Sequence, residues 1–362
     1  MRETVSGGGM GDQHSRVTLE DVALAAGVSK ATASKVLNGR PNVDPRTRRK
    51  VEETITALGY VPSTGPREAQ ADAAVDVVFD SMESMYSLQV LHGILTAARD
   101  LGVEVVVDVL DQAGGAGTPL SDAWLMRSAA RRRLGVIVVS LALTAGQVRT
   151  VEELGLLLVS VDLTGPLGAG LASVASTNFA GGTQATQHLV ALGHRRIGFA
   201  GLPAQIAASR ERLHGYRNAL ELAGIEADPA LVMHGGFSAE AGCRMALELL
   251  RLPDPPTAIF AACDGTAFGV FEAARRLGRR VPQDLSIVGF DDVEPAKLSS
   301  PPLTTVHQPI ADMGRVAMRT LHTLARGGAP DSLHIQLATH LVVRESTAPP
   351  PAGRVAGTPA FS

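Results

Sequence analysis

Two groups of residues in this sequence have types and spacings suited to chemistry. The first is cationic and hydroxylic. Thr18, Ser29, Lys30, Ala31, Thr32, Ser34 and Lys35 fall in one short stretch, with Asn42 and Thr47 just beyond it. On a helix capped by Ser29, the residues Lys30, Ala31, Ser34 and Lys35 point outward and Ala33, Val36 and Leu37 point inward. An exposed Lys can donate to guanine O6 and N7, and an Ala methyl packs on a thymine methyl. Hydroxyl and amide donors such as Thr18, Ser29, Thr32, Asn42 and Thr47 suit the positioning of a phosphate backbone. The second group is acidic. Asp80 with Ser81, Ser140, Asp162, Cys263 with Asp264, and Asp291 with Asp292 each end an apolar run. In open α/β sheets, ligands bind outside the carboxyl ends of the strands.

The elements that must hold the first group are short helices. In VTLEDVALAAGVSKATASKVLN, Thr18 followed by Asp21 is a weaker variant of the capping box. Leu19, Val22, Ala23 and Ala26 recur at helical spacing, and Gly27 allows the positive φ that a sharp exit needs. The second helix spans Lys30 to Leu37. Asn38-Gly39-Arg40-Pro41 is a turn, and Val43 to Leu58 is a third amphipathic helix carrying Arg46, Arg48, Arg49 and Lys50. Helix, Gly turn and cationic helix in this order make a helix-turn-helix.

The second group needs a sheet. Val75–Phe79, Val103–Val109, Gly135–Val139 and Leu156–Val161 are near-continuous apolar runs of the kind buried on both faces of a parallel sheet. Leu88–Leu101, Asp122–Arg133 and Ala145–Leu154 read as helices between them. A second series follows: helix Gly181–Leu192, strand Arg196–Ala200, helix Ser209–Ala223, strand Leu231–His234, helix Ala239–Leu250, strand Ala258–Ala261, helix Thr266–Leu277 and strand Leu285–Phe290. Strands alternating with helices over this length predict two doubly wound parallel sheets.

Composition sets bounds on function. The 362 residues are 45% hydrophobic and 19% charged, which is ordinary for a globular protein of two or three domains. The net charge of −3 hides an asymmetry: residues 16 to 67 hold nine Lys and Arg against five Asp and Glu, net +4, leaving −7 elsewhere. A small basic module on an acidic body suits phosphate contact by one end. The two cysteines, Cys243 and Cys263, have no metal-ligand spacing and indicate a reducing cytosol. Cys243 reads as a small core residue, and Trp124 as helix-face packing. His188, His194 and His214 form no metal set, so no metal and no cofactor is expected. Residues 1–15, with a Gly triplet and no apolar core, read as a disordered arm rather than a signal peptide, and translation from Met10 is a further expectation. No apolar run is long enough to span a membrane, which predicts a cytoplasmic protein.

The runs DVALAAGVSKATASKVLN and NVDPRTRRKVEETITALGYVP resemble the DNA-binding headpiece of the lactose-repressor (LacI/GalR) family of bacterial transcription regulators. The resemblance continues through TNFAGGTQATQHLVALGHRRIGFAG, SRERLHGYRNALELAG, PTAIFAACDGTAFGVFEAARRLG, VPQDLSIVGFDD and PPLTTVHQP, about Val17 to Thr347. It implies an all-α headpiece at 16–62 and a linker at 63–74. It also implies a two-lobed periplasmic-binding-protein-like body at 75–347, with lobe 1 at about 75–175 and 308–337 and lobe 2 at about 176–307 and 338–347. The chain should cross between lobes near Ser176, His307 and Ala338. Residues 348–362 read as a disordered tail without heptads, which implies a homodimer.

By the same resemblance, Lys30, Ala31, Ser34, Lys35 and Asn38 face or flank the bases of operator DNA, which a dimer reads as an inverted repeat. The implied effector contacts are Asp162, Arg210, Arg212, Phe237, Cys263, Asp264 and Asp291, joined by Asp80 and Ser81 at a strand end. Carboxylates and a guanidinium fork suit vicinal hydroxyls, and an aromatic face suits a pyranose, so a sugar is the implied effector. The linker departs from the pattern: Pro66 falls where a hinge helix would run and Ala69 where a wedge leucine is expected, which predicts weaker operator kinking. Asp264 and Asp292 also suit helix capping, Arg212 an internal ion pair, and His307 a structural role beside a crossing. The expected function is a repressor of carbohydrate-utilisation genes released by a sugar; the alternatives are a transport solute-binding protein and a sugar-processing enzyme. Transport requires export, and no GxGxxG, P-loop or nucleophile-elbow pattern supports an enzyme.

Overall fold

A computed structural model describes residues 18–37, 43–58, 74–110, 120–131, 133–162 and 171–351. The arm, Asn38, Asn42, the Gly39-Arg40-Pro41 turn, linker residues 63–73 with Pro66 and Ala69, and residues 352–362 lie outside them. The chain divides into two compact units, residues 1–72 and 73–362.

The first unit is three helices: α1 (Leu19–Ala26), α2 (Lys30–Leu37) and α3 (Pro45–Leu58). The capping box at α1 is complete. Asp21 N–H donates to Thr18 Oγ1 at 3.3 Å, and Thr18 N–H donates to Asp21 Oδ2 at 2.7 Å. Gly27 leaves α1 at φ +64°. Ser29 Oγ caps α2 by accepting from Thr32 N–H at 3.1 Å. Asp44 Oδ1 receives the first N–H groups of α3, from Arg46 at 3.0 Å and Thr47 at 3.3 Å. Val22, Ala23, Ala26, Ala33, Val36 and Val51 form the core where the three helices meet.

The second unit opens with β1 (Ala74–Phe79), α4 (Met85–Leu101), β2 (Glu104–Val109), α5 (Asp122–Ala130), β3 (Gly135–Val139), α6 (Ala145–Glu153), β4 (Leu158–Val161) and β5 (Ala172–Ser176). It continues with α7 (Asn178–Ala191), β6 (Ile197–Gly201), α8 (Ala207–Leu222), β7 (Val232–His234), α9 (Ala239–Leu250), β8 (Ala258–Ala261), α10 (Asp264–Arg276), β9 (Ser286–Asp291) and α11 (Glu294–Leu298). It closes with β10 (Thr304–His307), α12 (Ile310–Ala325), β11 (His334–Leu337) and β12 (His340–Val342). One sheet has the order β11-β5-β4-β3-β1-β2 and is parallel throughout. The other has the order β12-β10-β9-β8-β6-β7 and is parallel except for β12, which pairs antiparallel with β10.

The Val103–Val109 run differs from the buried strand its composition predicts. As β2 it forms the edge of its sheet and leaves Val107 and Val109 exposed. The chain passes between sheets after β5, after β10 and after β11, and side chains lace these passages together. Ser176 Oγ donates to Gln308 Oε1 at 2.6 Å, and Thr339 N–H donates to Thr177 Oγ1 at 2.9 Å.

Helices flank the sheets in pairs that touch through reciprocal glycines. A Cβ at Gly93 would lie 1.9 Å from the Ala311 carbonyl oxygen, and one at Gly314 would lie 2.2 Å from that of Val90, which locks α4 to α12. Gly182 with Gly215 does the same for α7 and α8, and Gly242 with Gly269 for α9 and α10. Backbones this close leave no room for a methyl.

Candidate functional site

In the first unit, α2 exposes Ala31 and Lys35 on one side while Ala33 and Val36 enter the core. Thr32, Ser34 and Thr47 are half-buried, and Thr18, Ser29 and Lys30 are exposed. The Thr18 and Ser29 hydroxyls therefore also serve helix termini, accepting from Asp21 N–H and Thr32 N–H, while the Thr47 backbone N–H is held by Asp44. Lys30 does not stand alone: its Nζ meets Glu20 Oε1 on α1 at 2.8 Å. Both partners are well exposed, so water screens the pair and leaves the ammonium able to exchange partners.

In the second unit the carboxyl ends of the strands converge on the gap between the two sheets. Four non-glycine residues there adopt positive φ: Ser140 after β3 (55°), Asp162 after β4 (47°), and Asp291 (120°) and Asp292 (58°) at the end of β9. Such conformations cost on the order of 1–3 kcal/mol each and cluster at ligand clamps and active sites.

The centre of this region is Arg212, buried on α8. Its Nε donates to Asn178 Oδ1 at 2.8 Å and its Nη1 to the Ala262 carbonyl at 2.5 Å. The same Nη1 lies 3.6 Å from Asp291 Oδ1, and the guanidinium stacks 3.8 Å above the Phe290 ring. Asp291 also accepts from Gln308 Nε2 at 2.6 Å. Burial pushes the Asp291 carboxyl up to about 6 although Arg212 opposes it. On the other lobe, Asp162 Oδ2 accepts from Tyr86 O–H at 2.6 Å, whereas its Oδ1 is buried with no hydrogen-bond partner among the described residues. Burial holds the Asp162 carboxyl above its ordinary range, with the Tyr86 hydrogen bond and Arg212 pulling the other way. A cavity of about 390 Å³ opens beside it, lined by Asp162, Ser173, Asn178, Glu211, His334 and Gln336 among others.

Asp162, Arg212, Asp291 and Cys263 are thus close enough to perturb one another. Cys263 caps α10 through its Sγ, which accepts from Thr266 N–H at 3.4 Å, and burial raises its thiol to about 12. That thiol is inert at neutral pH. Phe237 lies on the loop before α9 and is 39% exposed, and its carbonyl accepts from Cys263 Sγ at 3.7 Å. Asp80 and Ser81 sit at the end of β1, where Asp80 Oδ1 accepts from Ser81 N–H at 2.7 Å and burial raises the Asp80 carboxyl.

Two of the expected contacts are turned away or fully occupied. Arg210 points out of α8, its Nη1 donating to the Gln205 carbonyl at 2.7 Å, because two positions along a helix turn a side chain to the opposite face. Asp264 is fully buried, with Oδ1 accepting from Thr305 Oγ1 at 2.6 Å and Oδ2 from Val293 N–H at 3.0 Å. Both oxygens fasten β10 and the loop after β9, and the cap of α10 is Cys263, not Asp264. Asp292 is likewise occupied, by Arg344 Nη2 at 2.5 Å and His307 Nδ1 at 3.1 Å. Tyr86, Asn178, Glu211 and Gln308 escape sequence reasoning. Tyr86 lies in the first turn of α4 and Asn178 begins α7, and neither position announces a partner far along the chain. No group of His, Cys, Asp and Glu among the described residues is arranged to hold a metal ion. Trp124 packs on its helix face and donates from Nε1 to Asp108 at 2.6 Å.

Comparison with known proteins matches this architecture. Residues 18–63 fit the family model described as bacterial regulatory proteins, lacI family, and residues 186–347 fit the periplasmic binding protein-like domain. The HTH-type transcriptional regulator CelR of Thermobifida fusca is 36% identical over 92% of this chain and 99% of its own length. A solved transcriptional regulator CelR-cellobiose complex superposes with a TM-score of 0.69 at 34% identity, over 91% of this chain and 100% of that one. The lac repressor dimer bound to operator and the anti-inducer ONPF gives 0.72 at 30% identity, over 92% and 99%. These relatives are transcriptional regulators, not enzymes. With a relative at this identity over nearly the whole chain, the protein belongs to the lacI family of bacterial regulatory proteins.

Proposed function

We propose that this protein is a cytoplasmic, homodimeric repressor of carbohydrate-utilisation genes, and that a sugar bound between its two lobes releases it from an inverted-repeat operator. The observation that carries the sugar reading is Asp162, which lines a cavity beside the Arg212–Asp291 pair and whose Oδ1 is buried with no hydrogen-bond partner among the described residues. A buried acceptor without a donor marks the place where a ligand hydroxyl belongs. The relatives named above include one solved with cellobiose and one with operator DNA, which supports the same pairing of ligand and partner. On α2, Lys30, Ala31, Ser34 and Lys35 are assigned to base edges, and Thr18, Ser29, Thr32 and Thr47 to the backbone. In the cleft, Asp162, Arg212, Asp291, Phe237 and Cys263 are assigned to the effector, with Asp80 and Ser81 at its margin. Exposed Met85, Leu88 and Leu95 line one side of α4, an apolar stripe suited to a second copy of the chain. No helix among the described residues is long and apolar enough to cross a membrane.

A sugar that prefers one closure of the lobes shifts the operator-bound population by its differential affinity for the two states. The test is a thermal-shift screen of neutral mono- and disaccharides, cellobiose included, followed by gel shifts on operator DNA with and without each hit. A hit that releases operator supports the proposal, and Asp291→Ala then abolishes the response while operator affinity stays intact. Operator binding unchanged on deletion of residues 1–62 defeats the headpiece assignment, and a hit that tightens operator binding reverses the sign of control.

A further inference from the structure

Charge is spread unevenly along the second unit. Outside residues 16 to 67 the chain sums to −7, yet between Asp122 and Glu152 it carries Arg127, Arg131, Arg132, Arg133 and Arg149 and no acid. A run of one sign on a body of the other is the electrostatic footprint of a phosphate-binding surface. Arg127 and Arg131 stand four residues apart at the end of α5, on one helix face with Cβ atoms about 5–6 Å apart. Both are exposed, and neither enters an ion pair among the described residues, where the nearby acid Asp76 is taken up by Arg133. By contrast, the exposed Arg275 and Arg276 are neutralised by Glu272, and Arg280 by Asp284.

This end of α5 is fastened to the start of β1. Ser128 Oγ donates to the buried Asp76 Oδ2 at 2.6 Å, Arg133 Nε lies 3.4 Å from Asp76 Oδ1, and Leu134 N–H donates to the Ala74 carbonyl at 2.9 Å. Ala74 is where the linker enters the sheet. Even fully extended, residues 63–73 span only on the order of 40 Å, close to one turn of duplex DNA. The tether therefore keeps both arginines in the neighbourhood of any duplex that the first unit holds.

We propose that Arg127 and Arg131 make a second, sequence-independent DNA contact, in which the body of the protein pairs with backbone phosphates flanking the bases read by α2. The proposal rests on the operator-binding reading above and adds a surface outside the headpiece. Each guanidinium presents a planar fork of N–H donors that fits a phosphate, so the two can engage separate phosphates. Neutralising a phosphate releases its counterions, which adds affinity for any sequence and makes that affinity fall with salt. Base reading stays with α2.

The experiment is fluorescence anisotropy of a labelled random-sequence duplex titrated with the full-length protein, at salt concentrations from about 50 to 200 mM. It requires neither the operator nor the effector. In Arg127→Gln/Arg131→Gln the slope of log K against log salt should fall in magnitude by roughly 2 to 4, as one or both protomers of a dimer lose two phosphates each. The parent's advantage over this variant should then shrink about tenfold or more across the salt range. Arg127→Lys/Arg131→Lys keeps the charge and should keep the slope. Arg244→Gln/Arg251→Gln removes two exposed arginines at α9 and should leave the slope unaltered. A parental slope in the folded Gln variant overturns the proposal and leaves the headpiece reading standing. So does an equal fall in the α9 variant, which reduces the effect to net charge, or in the Lys variant, which reduces it to lost structure. Failure of the parent to bind duplex DNA defeats the operator reading, and the proposal with it.

Discussion

Replacing Gly182 by Ala tests whether Arg212, the arginine proposed to contact the effector, is held in place by a helix contact that only glycine permits. The added Cβ would lie 2.5 Å from the Arg212 carbonyl oxygen, 3.0 Å from its Cα and 3.1 Å from its carbonyl carbon. All three are backbone atoms, so no side chain can rotate away. To reach van der Waals contact, α7 and α8 must part by on the order of 1 Å. Gly215 opposes the same movement from the other side, since a Cβ there would lie 2.3 Å from the Phe179 carbonyl. Overpacking of this kind costs about 1–3 kcal/mol, and alanine returns roughly 1 kcal/mol of helix propensity at an interior position. Gly182→Ala should therefore lower stability by up to about 2 kcal/mol, seen in urea unfolding as a lower midpoint at constant slope. The same displacement moves the Arg212 guanidinium from Asp291 and Asn178, so effector affinity should fall on the order of tenfold. Gly146→Ala on α6 is the control, because its Cβ would meet only Thr144 Oγ1, at 3.7 Å. A Gly182→Ala protein at least as stable as the parent, with unchanged effector affinity, refutes this account of the α7–α8 contact.

Three further outcomes are expected. Lys35→Ala should weaken operator binding roughly 10- to 100-fold and reduce its salt slope by about one, with effector titrations unaltered; equal loss in both assays contradicts the assignment of Lys35 to DNA. Tyr86→Phe removes the one hydrogen bond that Asp162 Oδ2 accepts among the described residues and with it a downward influence on that carboxyl. The ionised form that accepts ligand hydroxyls is then lost at a higher pH than in the parent, so effector affinity should decline earlier as pH falls, and coincident pH profiles for the two proteins exclude the role. His194 is buried between Thr257, Ser286 and the Ala348 carbonyl, and burial lowers its pKa from 6.5. The folded state then binds fewer protons than the unfolded one, so its contribution is full above pH 6.5 and is lost as pH falls toward the depressed value. Denaturant titrations at pH 8 and pH 6 should show this loss in the parent and a smaller one in His194→Gln; equal losses would mean that the buried imidazole is not the titrating group.

The three-helix unit is legible in the sequence because its signals are local. Thr18 with Asp21, Gly27 and Ser29 act on N–H and carbonyl groups within a turn of themselves, and the resulting helices follow the apolar spacing closely. The strands β3 and β8 are equally plain, since each is an unbroken apolar run buried on both faces. The failures have physical causes. The valine-rich β2 has the composition of a central strand, but its place at the sheet edge is decided by which strands return beside it. The helix α12, with Ile310, Met313, Ala317 and Leu321 buried, follows the helical period but belongs to the first sheet's layer, to which the chain comes back only after β10.

The site divides in the same way. By itself the sequence determined which residues end the strands, because the apolar run stops and an acid or hydroxyl follows, and Asp162 and Asp291 were therefore visible. It determined equally that a basic helical module precedes an acidic body. Only the tertiary structure decided which of those polar groups remain available. Asp264 and Asp291 both lie beside strand ends, yet Thr305 and the Val293 N–H occupy both oxygens of Asp264, while Asp291 faces Arg212. Arg210 and Arg212 are two residues apart and equally basic, and the helical twist sends one to solvent and the other beneath the cleft. Tyr86 and Asp162 are 76 positions apart, and Ser176 and Gln308 are 132 apart. Capping and periodicity act over a few residues and can be read directly, whereas a hydrogen bond between distant side chains exists only once two lobes have brought them within 3 Å.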